Sequence, residues 1–241
     1  MNDQAIEVDL SVLERQPINS WIYPRVLVCI PLERSVSYAD MVFFRFMEIA
    51  MQGPAMIDVK YGRIDVVRNI AATQLLASEY THLLMLDIDH QHPIDIIQRL
   101  ARWVLLYPNI EVVSGLNFRR REPFDPVAGS YDKDSKQKDR KMLVNWPQGL
   151  LPVDEVGGAS LLVSRTVFTK LRPPWFFNVY DEVMSNSYPG EDIGFSRKCK
   201  EAGIQIYVDT TTSSPHCSEV LVTEETFRAY QEFQNEPKSP A

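Results

Sequence analysis

The sequence predicts an α/β fold, in which a Rossmann-like, mostly parallel central sheet carries helices on both faces. Strand-like and helix-like segments alternate from residue 25 to residue 117, as in sheets wound by right-handed crossovers. The run Leu83-Leu84-Met85-Leu86 shows no polar alternation, which is typical of a strand covered on both faces. With 241 residues, 45% of them hydrophobic, the chain can bury one large core.

The strands are predicted from apolar, β-branched runs that stop at turn residues. The first ends at Pro31, because proline cannot donate to a sheet ladder. The third ends abruptly in Asp87-Ile88-Asp89. The predicted strands of the alternating part, with a later one, are residues 25–31, 56–61, 83–86, 110–116 and 204–209.

The helices are predicted from apolar residues at helical spacing. Residues 40–51 end at Gly53-Pro54, and residues 94–107 follow Pro93. Residues 64–80 form the clearest amphipathic helix, whose predicted buried side consists of Val67, Ile70, Ala71, Leu75 and Leu76. A short helix is also expected near residues 224–233.

We expect one main domain with two extensions. Residues 1–24 have weak periodicity and contain Pro17 and Pro24, so they form a predicted N-terminal arm. The domain spans residues 25–212, with a nucleotide-binding half at 25–117 and a second half at 118–212. In that second half, residues 127–131 and 142–146 predict a small antiparallel section. Residues 213–241 form a C-terminal segment and tail.

Composition limits the function classes. The net charge of -7 argues against a protein that coats nucleic acid non-specifically. The N-terminal residues are acidic and no apolar run approaches the roughly 18 residues of a membrane span, so we expect a soluble, cytoplasmic protein. No C-x-x-C pair joins Cys29, Cys199 and Cys217, so neither a zinc site nor a disulfide framework is indicated.

Asp87 and Asp89 follow a buried strand, which is where ligands gather in open α/β sheets. In an extended chain, side chains two residues apart leave the same side, so both carboxylates could converge on one cation. An acidic strand-to-helix turn, with one aspartate capping the next helix, is the alternative.

Two further motifs place small and acidic residues at element starts. Gly157-Gly158 precedes an apolar strand, which indicates either a tight turn or a close backbone approach to a ligand. Glu191-Asp192 opens a helix that Gly203 ends. Acids favour a helix N-terminus in any case, but a carboxylate at such a rim can also accept a proton from a bound hydroxyl.

His216 follows the last predicted strand. A histidine there is often only a polar loop residue, yet a divalent cation such as Mn²⁺ accepts carboxylate, imidazole and phosphate oxygen together. Asp89 and His216 could therefore hold one ion while a diphosphate fills its remaining positions.

Positive charge gathers in one mid-chain stretch, from Arg119 to Lys141, diluted by Asp132, Asp134 and Asp139. This pattern indicates either a solvated loop or a contact surface for phosphates or an anionic acceptor. Its members are Arg119, Arg120, Arg121, Lys133, Lys136, Lys138, Arg140 and Lys141.

The order of these motifs resembles a glycosyltransferase of the GT-A fold, in the large group that contains the family 2-like enzymes and their phage and bacterial relatives. The resemblance covers about residues 25–216. The matching segments are Val28-Cys29-Ile30-Pro31, Arg68-Asn69-Ile70-Ala71, Leu86-Asp87-Ile88-Asp89, Gly157-Gly158-Ala159, Gly190-Glu191-Asp192 and His216. One departure is the first loop, Pro31-Leu32-Glu33-Arg34, which differs from the commoner P-x-Y-N-R pattern.

The resemblance implies transfer of a hexose or pentose from a UDP- or GDP-sugar to an acceptor hydroxyl, with Mn²⁺ or Mg²⁺ as cofactor. Residues 118–212 would be the acceptor side, and the acceptor class stays open, a modified nucleic acid or an anionic glycan among the candidates. Inversion is expected, with retention as the alternative. The implied site residues are Asp192 and Glu191 for catalysis; Pro31, Arg68, Asn69, Asp87, Asp89, Gly157 and Gly158 for the donor; and Asp87, Asp89 and His216 for the metal.

Two other function classes fit part of the pattern. Paired aspartates at a strand end also serve nucleotidyltransferases and metal-dependent phosphohydrolases, although the sequence has no G-x-x-x-x-G-K-[ST] loop. A binding domain that kept the fold without activity is the non-enzymatic alternative.

Overall fold

The computed structural model describes residues 23–32, 45–50, 55–131, 140–179, 190–218 and 221–235. Within these ranges the strands are β1 Val26–Leu32, β2 Ala55–Tyr61, β3 His82–Leu86, β4 Val112–Leu116, β5 Ala128–Tyr131, β6 Arg140–Met142, β7 Leu150–Val153, β8 Glu155–Val156, β9 Ser160–Ser164 and β10 Ile206–Ser213. The helices are α1 Ile64–Ala77, α2 Ile96–Leu106, α3 Arg165–Lys170, α4 Glu191–Glu201 and α5 Glu224–Asn235, and residues 45–50 are also helical.

Several predictions fall outside the described residues. They concern nearly all of the N-terminal arm, the ends of the predicted helix 40–51, the loop after Leu32, Lys133, Lys136 and Lys138 of the basic stretch, and the last six residues of the chain.

The predicted fold class is confirmed. The described strands form a seven-stranded sheet in the order β2-β1-β3-β9-β4-β10-β7 and a three-stranded sheet in the order β6-β5-β8. Five of the seven strands run in one direction, because β1, β2 and β3 pair in parallel, as do β4 and β10. The other two, β9 and β7, pair antiparallel with their neighbours. The small sheet is antiparallel throughout, as predicted for residues after 118.

The central sheet separates two apolar layers, which explains the unbroken apolar run of β3. Successive side chains of a strand point to opposite faces. Leu83 and Met85 accordingly pack in the layer beside α1, α3 and α4, whereas Leu84 and Leu86 pack in the layer beside α2. All four side chains are fully buried, so a polar residue at any of these four positions would lose its hydration.

Some predicted boundaries and faces were wrong. β1 continues through Pro31 to Leu32, which is tolerated because the pairing of β1 with β3 stops at Cys29. Helix α1 ends at Ala77 rather than at residue 80, and Ile70 is 44% exposed instead of buried. The last strand begins at Ile206 rather than at residue 204 and extends to Ser213 rather than to residue 209.

The C-terminal helix is part of the core. Phe227 of α5 is 1% exposed, and its ring lies 5.9 Å from that of Phe118 and 6.0 Å from that of Trp146. The predicted helix in this region is therefore confirmed, and it packs on the segment that follows β4.

An irregularity in β10 directs the chain toward the end of the sheet. Asp209 pairs with Gly115 of β4, but the next pair joins Ser213 to Leu116, so extra residues bulge out of the strand. The buried Asp209 carboxylate holds this bulge, because it accepts hydrogen bonds from Arg102 at 2.9 Å and from Thr212 at 2.7 Å.

We expect Asp209→Ala to lower the free energy of unfolding by about 3–5 kcal/mol, because it leaves the guanidinium of Arg102 without its buried partner. Asp95→Ala is the matched control, since it breaks a half-exposed pair with Arg99 and should cost no more than about 1 kcal/mol. Urea denaturation measures both. Equal small losses in the two variants would contradict a structural role for Asp209.

Candidate functional site

The topology brings most of the predicted site residues to one edge of the sheet. The carboxyl ends of β3, β4 and β10 share that edge because these strands are parallel. Strand β9 runs the other way, so it begins there, and Gly157 and Gly158 precede it. A cleft of about 430 Å³ opens at this edge, with Asp87, His90, Gly158, Asp192 and His216 among its walls.

A buried guanidinium joins three elements beneath the cleft. Arg68 of α1 is 1% exposed. Its Nη2 donates to both carboxylate oxygens of Asp87, at 2.7 and 3.0 Å, and its Nη1 donates to Glu191 at the start of α4, at 2.5 Å. The helix, the end of β3 and the acidic pair are thus held together by one side chain.

One positive charge, on Arg68, lies near the three carboxyl groups of Asp87, Glu191 and Asp192, and the pKa values of Arg68 and Glu191 shift in response. Burial alone would lower the pKa of Arg68, but Asp87, Glu191 and Asp192 raise it, so the guanidinium stays charged. Burial, followed by repulsion from Asp192, raises the pKa of Glu191 despite the pull of Arg68.

The two glycines are required by packing. A β-carbon on Gly158 would lie 1.9 Å from Nη1 of Arg68, so no larger residue leaves room for the guanidinium. A β-carbon on Gly157 would lie 2.9 Å from Cγ1 of Val127. The sequence left open a tight turn or a close backbone approach to a ligand. The structure shows a close approach, but to the side chains of Arg68 and Val127. Both glycines also line the cleft.

Glu191 and Asp192 point to different places, although they are neighbours. Glu191 is 8% exposed and is bound to Arg68. Asp192 lines the cleft, where Oδ1 accepts from the backbone N–H of Ile193 at 2.8 Å and Oδ2 from that of Gly158 at 3.3 Å. These two donors orient the Asp192 carboxylate in the cleft.

Asp87 and Asp89 also separate. The strand ends at Leu86, and the backbone turns, with the N–H of His90 donating to the carbonyl of Asp87 at 3.3 Å. The expectation that both carboxylates leave one side of an extended segment was therefore wrong. Asp87 binds Arg68, whereas Asp89 lies with His90 and His216.

Asp89, His90 and His216 form a cluster with the composition of a metal site, in which one ligand atom from each lies within 4.8 Å of the others. His90 Nδ1 lies 3.0 Å from Oδ1 of Asp89, and His216 Nε2 lies 3.1 Å from Oδ2. The two imidazole rings stack with centroids 4.0 Å apart. The sequence prediction included Asp89 and His216 but named Asp87 where this cluster has His90.

The hydrogen bond of the other ring nitrogen fixes the role of His216. Its Nδ1 lies 2.8 Å from the carbonyl oxygen of Phe118, which can only accept, so Nδ1 carries the proton. Nε2 then faces the Asp89 carboxylate at 3.1 Å, so either a proton or a metal cation must lie between these two atoms. A backbone carbonyl that orients a ligating histidine is the usual support of a metal site, so the residues fit a cation.

Burial opposes ionisation of Asp89, but hydrogen bonds to His216 and His90 hold the pKa of its carboxyl well below the usual range. Asp89 is thus ready as an anionic ligand. Burial lowers the pKa of His90, which favours the neutral, ligating imidazole.

Backbone hydrogen bonds hold the two ligand-bearing turns against each other. The N–H of Gln91 donates to the carbonyl of Pro215 at 2.8 Å, and that of Cys217 donates to the carbonyl of Asp89 at 2.7 Å. The cluster is therefore built on paired backbone rather than on free loop ends.

Sequence reasoning gave no role to His92, which supports this turn. It is buried, its Nε2 donates to the carbonyl of Asp87 at 2.9 Å, and its Nδ1 accepts from the hydroxyl of Ser214 at 2.9 Å. Burial and the neighbouring His90 lower the pKa of His92 to about 3, so the ring is neutral, as these bonds require. The spacing of His90 and His92 directly after the aspartates was the available signal.

Asn69 and Pro31, which were predicted to bind the sugar-nucleotide donor, are not part of the cleft wall. The amide of Asn69 donates to the carbonyl of Phe176 at 2.7 Å and accepts from the N–H of Trp175 at 2.8 Å, so it braces the segment after α3. It borders a second cavity, and neither it nor Pro31 belongs to the cleft wall. Their donor contacts remain predictions from the sequence.

Part of the basic stretch reaches the cleft. Arg119, Arg120 and Arg121 line it, and Nη1 of Arg120 lies 3.3 Å from Oδ2 of Asp89. Lys141 lies in β6 of the small sheet.

Among the described residues, no helix combines the length and apolar composition that a membrane crossing requires.

No protein-family model matches the sequence, and no curated protein matches it. Among solved structures, A197 from STIV is similar, with a TM-score of 0.53 and 19% identity over 80% of this chain and 86% of that one. GalNAc-T7, crystallised with UDP, GalNAc and Mn²⁺, is similar with a TM-score of 0.52 and 11% identity, over 80% of this chain but 43% of its own. At such identities the likeness concerns the fold, which is the GT-A-like, Rossmann-like α/β architecture that the sequence predicted.

Proposed function

We propose that this protein is a metal-dependent glycosyltransferase, which moves a sugar from a nucleoside-diphosphate sugar to an acceptor hydroxyl. The observation that carries the proposal is the position of two kinds of group in one cleft. His90 and His216, two members of the candidate metal cluster, share its walls with the Asp192 carboxylate. A leaving diphosphate needs positive charge and an attacking hydroxyl needs a base, so the two tasks fall on separate residues.

Asp89, His90 and His216 would hold the cation. One carboxylate oxygen and two imidazole nitrogens suit a cation of intermediate hardness, so Mn²⁺ is a better fit than Mg²⁺, which prefers oxygen ligands. When bound, the ion supplies charge that stabilises the departing diphosphate. Asp87, held by Arg68 at the same edge, would orient the donor.

Asp192 would act as the general base. Two backbone N–H donors orient its carboxylate at the cleft wall, where an acceptor hydroxyl would reach it. Glu191, by contrast, acts as a positioning residue, because its carboxylate is bound to Arg68. One base opposite the leaving group favours inversion of configuration.

The donor would be a UDP- or GDP-sugar, bound against the backbone of Gly157 and Gly158. The fold-level likeness to GalNAc-T7, crystallised with UDP, GalNAc and Mn²⁺, supports a nucleotide-sugar donor. The arginine-lined wall favours an acceptor with negative charge, such as an anionic glycan or a modified nucleic acid. Solubility and a cytoplasmic location stay part of the proposal.

The first test is release of free nucleoside diphosphate from a panel of UDP- and GDP-sugars, with and without Mn²⁺. We expect release that depends on Mn²⁺. Pyrophosphate formed from a nucleoside triphosphate and a sugar phosphate would identify a nucleotidyltransferase instead, and binding of a sugar nucleotide without any turnover would identify an inactive binding domain.

Asp89→Ala and His216→Ala should each remove activity and weaken binding of Mn²⁺ at least tenfold, because a cation loses one of three protein ligands. Calorimetric titration with Mn²⁺ measures the affinity without any substrate. Glu79→Ala, which removes a carboxylate paired with Arg25 at the start of β1, is the control and should bind Mn²⁺ like the unchanged protein. Full activity in excess chelator would refute the metal dependence.

Asp192→Asn keeps the shape of the side chain and removes its basicity. We expect kcat to fall by about 10²- to 10⁴-fold, the usual range for a general base, with donor affinity little changed. Steady-state kinetics with the acceptor, together with NMR of the first-formed product, measure the loss and the stereochemistry. A kcat close to that of the unchanged enzyme would remove Asp192 as the base.

A further inference from the structure

Among the residues that the structure describes, two side chains contact Asp89 Oδ2. Nε2 of His216 lies 3.1 Å away, and Nη1 of Arg120 lies 3.3 Å away. The guanidinium therefore contacts the Asp89 oxygen that faces His216, one of the two oxygens that this carboxylate offers to a cation in the Asp89–His90–His216 cluster. A divalent ion and a guanidinium repel each other at such short range, so a cation bound to this carboxylate weakens its pair with Arg120.

The Arg120 side chain is free to leave, whereas its backbone is not. The side chain is 49% exposed, and a pair of this kind at a protein surface contributes little to stability. The backbone around it forms a closed turn, in which the N–H of Arg119 donates to the carbonyl of Asp125 at 2.9 Å and that of Phe124 to the carbonyl of Arg121 at 3.0 Å. Arg120 can therefore change its partner by rotation of its side chain, while its backbone stays in place.

The preceding residue fixes the place of this turn. Phe118 is 1% exposed and packs against Phe227. Its carbonyl oxygen accepts a hydrogen bond from Nδ1 of His216. Arg120 is thus held two residues from a group that orients a metal ligand. It also lines the cleft that contains Asp192 and Gly158, so a rotated guanidinium stays within reach of a bound anion.

We propose that Arg120 is an exchangeable partner of Asp89. Without a divalent cation, its guanidinium neutralises the carboxylate. When the cation binds, Arg120 is displaced into the cleft and pairs with the diphosphate of the donor, for which a planar guanidinium is well suited. The inference rests on the proposed function, because it takes the cluster to be a metal site and the anion to be a nucleoside diphosphate.

The exchange makes one substitution act in opposite directions on two ligands. In Arg120→Gln, Mn²⁺ alone should bind about 3- to 10-fold more tightly, because its competitor for Asp89 is gone. UDP or GDP, titrated at saturating Mn²⁺, should bind about tenfold more weakly, because a charged hydrogen-bond donor is lost. Calorimetry measures both affinities, and no turnover is needed.

Two variants serve as controls. Arg25→Gln removes the same charge from an exposed pair with Glu79 at the start of β1, and it should change neither affinity. Arg120→Lys keeps a positive charge and should restore both affinities at least in part. A general effect of net charge would instead appear equally in Arg25→Gln and Arg120→Gln.

Unchanged or weaker Mn²⁺ binding in Arg120→Gln would overturn the proposal, as would tighter Mn²⁺ binding with unchanged nucleotide affinity. Failure of the proposed function is distinguishable. If no sugar nucleotide releases its diphosphate but the opposite shifts are seen, the exchange holds and the transfer reaction does not. If the unchanged protein binds no Mn²⁺, both ideas fail.

Discussion

The site depends on one buried guanidinium. Arg68 connects helix α1 to Asp87 at the end of β3 and to Glu191 at the start of α4, and the two carboxylates belong to segments 104 residues apart. A buried charge is tolerated only with such partners. Gly158 is part of the same constraint, since any side chain there would collide with the guanidinium. The positions of the acidic pair and of the glycine turn follow from this one contact.

Adjacent acids acquire different tasks because of their partners. Glu191 is bound to Arg68, while Asp192, the next residue, is held by backbone N–H groups and faces the cleft. Likewise Asp87 is bound to Arg68, while Asp89 lies with two histidines. In each pair one carboxylate is bound to Arg68 and the other is not. This division gives the proposed base and the proposed metal ligand separate surroundings.

Strand direction explains how distant segments meet. A sheet of parallel strands alone would bring together residues that follow strands, such as Asp89 and His216. The antiparallel strand β9 adds a segment that precedes a strand, and so places Gly157 and Gly158 at the same edge. The bulge in β10, held by Asp209, then precedes the turn that contains Ser214 and His216. The cleft is thus lined by segments that follow parallel strands and by the segment that precedes the antiparallel strand β9.

The sequence by itself determined the fold class, the place of Asp87 and Asp89 after a buried strand, and the helix start at Glu191, because these depend on local periodicity and on the order of elements. Tertiary structure decided which residues meet. It paired Asp87 with Arg68, added His90 to the cluster, used Asn69 to brace residues 175–176 and made the C-terminal helix part of the core. Local patterns do not contain this information, since Asp89 and His216 are 127 residues apart and their contact exists only once the sheet has aligned the strand ends.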